Sequence, residues 1–252
     1  MLWPSQSPCA PRNVGMPLSA LIPAPENITK RCGRCMGQDK HRVISAISAM
    51  NHSKITPRKR LSLENMDQRH FIIYDLEATC WRSRAPKQVE IIEIGAVKVD
   101  ENLEIISEFC LFVRPLLHPE ISKFCTKLTS ITQNDIEGAP HFDEAVEAFE
   151  DWMNPREVRT VLMSWGEFDK RQLLNDSKLH DMELPWLRYH ACLQHHYSKW
   201  KDSRNQIGLK NAMELEGLSY SGTQHRAIED ARNMARLFQV IAKPMELLNV
   251  ND

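Results

Sequence analysis

The chain has 252 residues, 42% hydrophobic and 26% charged, a globular balance that excludes wholesale disorder and suits one α/β-sized domain or a smaller domain with an appendage. No uncharged apolar run approaches the roughly 20 residues that span a bilayer; the Asn13–Pro25 stretch, with three prolines and no basic cluster before it, does not read as a secretory signal. The net charge of −1 hides an asymmetry: residues 1–67 carry ten Lys/Arg against four acids, which leaves −7 on the remainder. A polyanion handled by that remainder must be met locally, or with metal ions offsetting its carboxylates.

Residues 1–67 hold seven of the fourteen prolines and no sustained amphipathic pattern beyond Val43–Met50. They are expected to be a mostly unstructured basic extension, with a single domain over 68–252. Cys32 and Cys35, with His41 and His52 downstream, match the spacing of no common zinc module and read as incidental. Thr56-Pro57-Arg58-Lys59-Arg60 reads as a solvated linker, or as a weak nucleic-acid tether. Seven cysteines, an odd number scattered from Cys9 to Cys192, fit a reducing, intracellular and cytoplasmic setting better than a disulfide framework.

From His70 the texture changes. Phe71–Glu77 reads as a strand, Glu90–Val99 as a second and Leu103–Val113 as a third, the last two paired antiparallel through a turn at residues 100–102. Pro119–Leu128 reads as a short helix, and Phe142–Met153 as a clearer one, with Phe142, Ala145, Val146, Phe149 and Met153 at helical spacing. Thr160–Trp165 is a fourth strand. Helices follow from Phe168, over Leu209–Glu216 and over Ala227–Ile241, with His195-His196 and Lys199-Trp200-Lys201 left between elements. A strand meander followed by alternating strands and helices implies an α/β domain with a mixed sheet flanked by helices.

Asp75 and Glu77 lie two apart in the first strand, so their side chains share a face about 6.6 Å apart along the chain. The pair reads either as a strand end meeting solvent or as two oxygen ligands for a hard divalent cation. In the last helix, a wheel at about 100° per residue groups Ala227, Ile228, Ala231, Met234, Ala235 and Phe238 in one stripe. Asp230 flanks that stripe, and Glu229 points away from it. His225 precedes the helix, either as a surface or capping residue or held by a loop over the same crevice. Asp169 follows a strand that stops at Gly166, a position that suits a site in an α/β sheet and also suits simple charge complementation of a helix N-terminus.

Asp-x-Glu on a first strand, Phe-Asp opening a middle helix and His-x4-Asp on a last helix together resemble the DEDDh branch of the DnaQ-like 3′→5′ exonucleases, which have a ribonuclease-H-like fold. Asp75 through Trp81, Ile91 through Val97, Phe124-Cys125 with Leu128 through Thr132, and His225 through Asn233 look like the Eri-type and KapD-like members. The resemblance covers about residues 70–242; residues 1–67 match no accessory domain, and in particular no SAP-type module.

The resemblance implies a metal-dependent hydrolase that trims RNA 3′ ends, single-stranded or overhanging, to nucleoside 5′-monophosphates with two Mg²⁺ ions, Mn²⁺ being able to substitute. Asp75 would bridge both ions, Glu77 and Asp230 would complete one, Asp169 would hold the other, and His225 would be the general base. Backbone groups around Glu77 and Ala78 would bind the terminal ribose, and Phe124 and Trp165 would stack on the last base, with ordinary core packing as their alternative. Nucleic acid is the expected partner, with no membrane. A DNA exonuclease of proofreading or trimming type is the rival within enzymes, and a nonenzymatic RNA-binding protein on the same fold is the rival outside them.

Overall fold

The computed structural model describes residues 69–82, 88–156 and 158–249; the expectations for the basic extension, for Cys32 and Cys35 and for the Thr56–Arg60 cluster lie outside these residues. In chain order the elements are β1 (Arg69–Ala78), β2 (Ile91–Val99), β3 (Ile105–Phe112), α1 (Lys123–Thr129), α2 (Gln133–Glu137), α3 (Phe142–Met153), β4 (Arg159–Ser164), α4 (Glu167–Leu179), β5 (His190–Cys192), α5 (Leu193–Trp200), α6 (Leu209–Leu215) and α7 (Ala227–Ile241). Among the described residues no helix is long and apolar enough to cross a membrane.

The strands form one mixed sheet in the order β3-β2-β1-β4-β5. β1 to β3 pair antiparallel as the meander predicts, and β4 and β5 run parallel to β1. The β2–β3 turn closes on Asp100, whose Oδ1 accepts the N–H groups of Asn102 (2.9 Å) and Glu104 (2.8 Å). The central strand β1 is apolar from Phe71 to Tyr74 because both of its faces are covered. Ile72, Tyr74 and Leu76 point toward Phe142, Val146 and Phe149 of α3, whereas Phe71 and Ile73 point toward Met234 and Phe238 of α7. Strand alternation then carries Asp75 and Glu77 onto the α7 face.

The start of α7 lies directly on β2. A Cβ at Gly95 would collide with the backbone of Ala227 and Ile228, so only glycine permits this approach. Gly95→Ala is therefore expected to cost about 1–3 kcal/mol through forced displacement of the helix. The midpoint of denaturant unfolding checks this, and an unchanged midpoint would mean that α7 docks elsewhere.

Several elements differ from the sequence expectation. The helix read from Pro119 begins at Lys123, because Ser122 is its N-cap and its Oγ accepts the Cys125 N–H at 3.0 Å. The pairs His195-His196 and Lys199-Trp200, expected between elements, belong to α5. That helix follows the three-residue β5, whose register with Leu162–Ser164 of β4 is purely tertiary.

Candidate active site

The C-terminal ends of β1 and β4 lie at the same edge of the sheet, since the two strands are parallel. Asp75 and Glu77 are at that edge on β1, with a register shift between Glu77 and Ala78. Gly166 is the N-cap of α4 and brings Asp169 to the same edge from the other side, where its Oδ1 accepts the Leu76 N–H at 3.3 Å. α7 contributes Asp230 from its first turn. Carboxylate oxygens of Asp75, Glu77 and Asp230 all lie within 4.8 Å of one another.

Neighbouring groups fix these side chains. Asp230 accepts the Tyr220 hydroxyl on Oδ1 (2.9 Å) and the His225 N–H on Oδ2 (3.0 Å). His225 is exposed at the mouth of the site and adopts φ 60°, a left-handed conformation uncommon for a non-glycine residue. On β2, Glu93 stands opposite Glu77 and is fully buried. It accepts Arg226 Nε (3.2 Å), Arg226 Nη2 (3.0 Å) and the Ala227 N–H (3.0 Å). Further back, Asn233 is fully buried and clamps the preceding loop, taking the Ser221 N–H at 3.0 Å and donating to the Ser221 carbonyl at 2.7 Å.

The carboxylates repel one another. Asp75 is pushed well above the usual carboxylate range, first by desolvation and then by the charges of Asp169, Asp230, Glu77 and Glu93. Glu77 rises from 4.5 to about 8, again mostly through desolvation, with Glu93 as its strongest repulsive neighbour and Arg226 as the opposing charge. Asp169 rises from 3.8 to about 7, desolvation outweighing its hydrogen bonds. Desolvation also raises Asp230, against the Tyr220 and His225 bonds. A cluster of converging oxygen donors that resists ionisation until a positive charge arrives fits a hard divalent cation.

This has a measurable consequence. The folded chain holds protons on Glu77 and Asp169 that the unfolded chain has released, so their contribution is complete at low pH and is lost as pH rises through about 7 to about 8. His190, depressed from 6.5 to about 4 mainly by burial, acts in the opposite direction below 6.5. In chelator the melting midpoint is therefore expected to fall between pH 6.5 and 8, and a divalent cation is expected to raise it more at pH 8 than at 6.5. A midpoint in chelator that is flat or rising over this interval would contradict the arrangement.

The remaining sequence candidates divide. Ala78 ends β1 beside the carboxylates, its carbonyl facing the Cys125 thiol at 3.7 Å. Phe124 is 38% exposed on α1. Trp165 is 8% exposed, packs its ring on Tyr197 and donates Nε1–H to the Ile207 carbonyl at 3.1 Å, the core packing that was its alternative reading. An exposed aromatic on that side is Phe168, 45% exposed and adjacent to Asp169, which the sequence reading named only as the start of a helix. Glu229 is not among the converging oxygens; the wheel left it solvated, and it is instead mostly buried and bound to Arg232 at 2.8 Å. Glu93 was also missed; its signal was a charged residue inside an otherwise apolar strand.

Comparison with known proteins agrees with this geometry. The chain is 29% identical over 182 residues to the mouse protein ERI1 exoribonuclease 3, covering 69% of this chain and 53% of that one. It is 32% identical over 180 residues to human 3′-5′ exoribonuclease 1, covering 67% and 51% respectively. The chain thus spans about half the length of these curated relatives. The crystallographic structure of the nuclease domain of 3′hExo, a DEDDh family member, bound to rAMP, superimposes with a TM-score of 0.68 at 29% identity, covering 73% of this chain and 96% of that domain. E. coli exonuclease I with a dA16 oligonucleotide, at 13% identity and a TM-score of 0.55, covers 71% of this chain and 42% of that one and shares the fold alone. The Exonuclease (RNase T) family model matches residues 72–238, from β1 into the last turn of α7. The chain therefore belongs to the RNase T exonuclease family, in its DEDDh, Eri-type branch.

Proposed function

We propose that this chain is a 3′→5′ exoribonuclease that removes nucleoside 5′-monophosphates from single-stranded or 3′-overhanging RNA, acting inside the cell in the cytoplasm. The observation that carries this reading is the convergence of Asp75, Glu77 and Asp230, with Asp169 pressing on Asp75 from α4. The cofactor is Mg²⁺, as two ions: Asp75, Glu77 and Asp230, whose carboxylate oxygens converge, would hold them together with Asp169. When bound, such ions neutralise charge on the phosphate and make water a stronger nucleophile.

The protein's own groups do the rest. A nitrogen of the exposed His225 ring accepts the proton of the attacking water, a role that suits histidine near neutral pH. Asp230 holds that residue by its backbone N–H and so couples the general base to the carboxylate cluster. Phe124 and Phe168, both exposed, offer π faces to the terminal base, where stacking contributes about 1–3 kcal/mol without sequence preference. Backbone groups at Glu77 and Ala78, at the register shift between β1 and β2, bind the hydroxyls of a 3′-terminal ribose in this reading.

RNA is favoured over DNA because the relatives at 29–32% identity are exoribonucleases, and the exonuclease I likeness extends only to the fold. The test is digestion of end-labelled RNA and DNA of equal sequence, with Mg²⁺ and with chelator. Loss of RNA from the 3′ end as monophosphates, only with Mg²⁺, is expected. Faster digestion of DNA, or digestion in chelator, would overturn the reading.

A further inference from the structure

The Glu93–Arg226 pair has no place in the reaction described above, yet it adjoins the site on both sides. Glu93 lies across the sheet from Glu77, and Arg226 directly follows His225. Stability alone does not account for it. Apolar residues replace a buried ion pair without loss in many folds, and here the carboxylate adds negative charge to a cluster that already repels itself.

The hydrogen bonds show what the pair does. Glu93 receives both arms of the Arg226 fork and also the Ala227 N–H, so one carboxylate grips the two residues after His225. On the other side, Asp230 takes the N–H of His225 itself. Between these two anchors the backbone is held at φ 60°. Gly95, two residues along β2 from Glu93, lets the same turn of helix lie against the strand. The guanidinium lies with Cζ 5.3 Å from the Phe112 ring centroid, which further limits its movement.

We propose that Glu93 and Arg226 are positioning residues for catalysis: together they hold the His225 ring and the Asp230 carboxylate in working register, and neither touches substrate. The proposal rests on the exoribonuclease reading and deepens it. A misplacement of about 1 Å costs on the order of 10²-fold in rate, and that loss falls on turnover rather than on capture of the RNA.

The test uses the full chain and a short 5′-labelled RNA. Arg226→Ala is expected to lower kcat about 10²-fold with little change in KM, and Arg226→Lys, which keeps the charge but not the fork, to lower it as well. Glu93→Gln is nearly isosteric and guards against a misfolded variant. The double variant is expected to lose little more than the worse single one, because the two residues act as a unit. Guanidinium ion at millimolar concentration is expected to restore part of the Arg226→Ala rate and none of the His225→Ala rate. Amide exchange at residues 224–230 of the metal-free Arg226→Ala protein is expected to quicken. A cooperatively folding Arg226→Ala protein with wild-type kcat would overturn the proposal. So would a loss confined to KM, which would make Arg226 a substrate contact, or losses that multiply in the double variant. A wild-type protein with no turnover on RNA would instead overturn the functional reading, and this proposal with it.

Discussion

Asp75→Asn is expected to abolish turnover on RNA while leaving the fold intact, and in chelator to raise the melting midpoint. The reason is the position of Asp75 between the other carboxylates, where it meets repulsion from Asp169, Asp230, Glu77 and Glu93 together. A neutral amide removes the charge that a divalent ion must find there and also relieves the repulsion felt by the ion-free protein. Glu229→Gln is the matched control. Glu229 sits beside Asp230 in sequence, but its carboxylate binds Arg232 at 2.8 Å, and Arg232 in turn binds Glu108 of β3. Turnover close to wild type is expected for it. Single-turnover digestion of labelled RNA, with circular dichroism to check folding, measures both. Equal losses in the two variants would show that the first turn of α7 is placed wrongly.

The second large effect belongs to His225. A general base contributes roughly 10²–10⁴-fold, so His225→Ala is expected to cut kcat by that order, with a far smaller change in KM. The left-handed backbone at this position complicates a single substitution, because alanine is strained there while asparagine is tolerated. His225→Asn therefore separates the imidazole from the backbone. Both variants are expected to be impaired alike. An active His225→Asn beside an inactive His225→Ala would assign the effect to loop geometry, and two active variants would remove His225 from the reaction.

How much of this was legible beforehand follows from which interactions are local. The Asp75–Glu77 pair shares a face because strand alternation is a property of the backbone, and the bounds of α3 and α7 follow from apolar spacing alone. That Asp230 rather than Glu229 reaches the cluster follows from the same wheel. The resemblance to DEDDh nucleases supplied the link among three distant elements, which periodicity alone does not contain.

Tertiary structure decided the rest. β5 has three residues and no pattern of its own; it is a strand only because Leu162–Ser164 of β4 offers it a free edge. Trp165 and Phe168 are three residues apart, and the sequence left open whether Trp165 stacks on a base or packs in the core. Trp165 turns inward because Tyr197 and the Ile207 carbonyl, both distant in sequence, supply a ring contact and an acceptor for its indole N–H. Phe168 turns outward on the first turn of α4, the same turn in which Asp169 reaches the Leu76 N–H. Glu93 shows the same principle most clearly. In isolation it interrupts an apolar strand, and only the arrival of Arg226 and Ala227, more than 130 residues later, makes it a buried carboxylate with three donors. Composition and periodicity determined strands β1 to β4, helices α3 and α7, and the shared face of Asp75 and Glu77. The distances between those carboxylates, and the conformation of the loop carrying His225, depend on contacts between elements far apart in the chain, and local propensities do not encode those contacts.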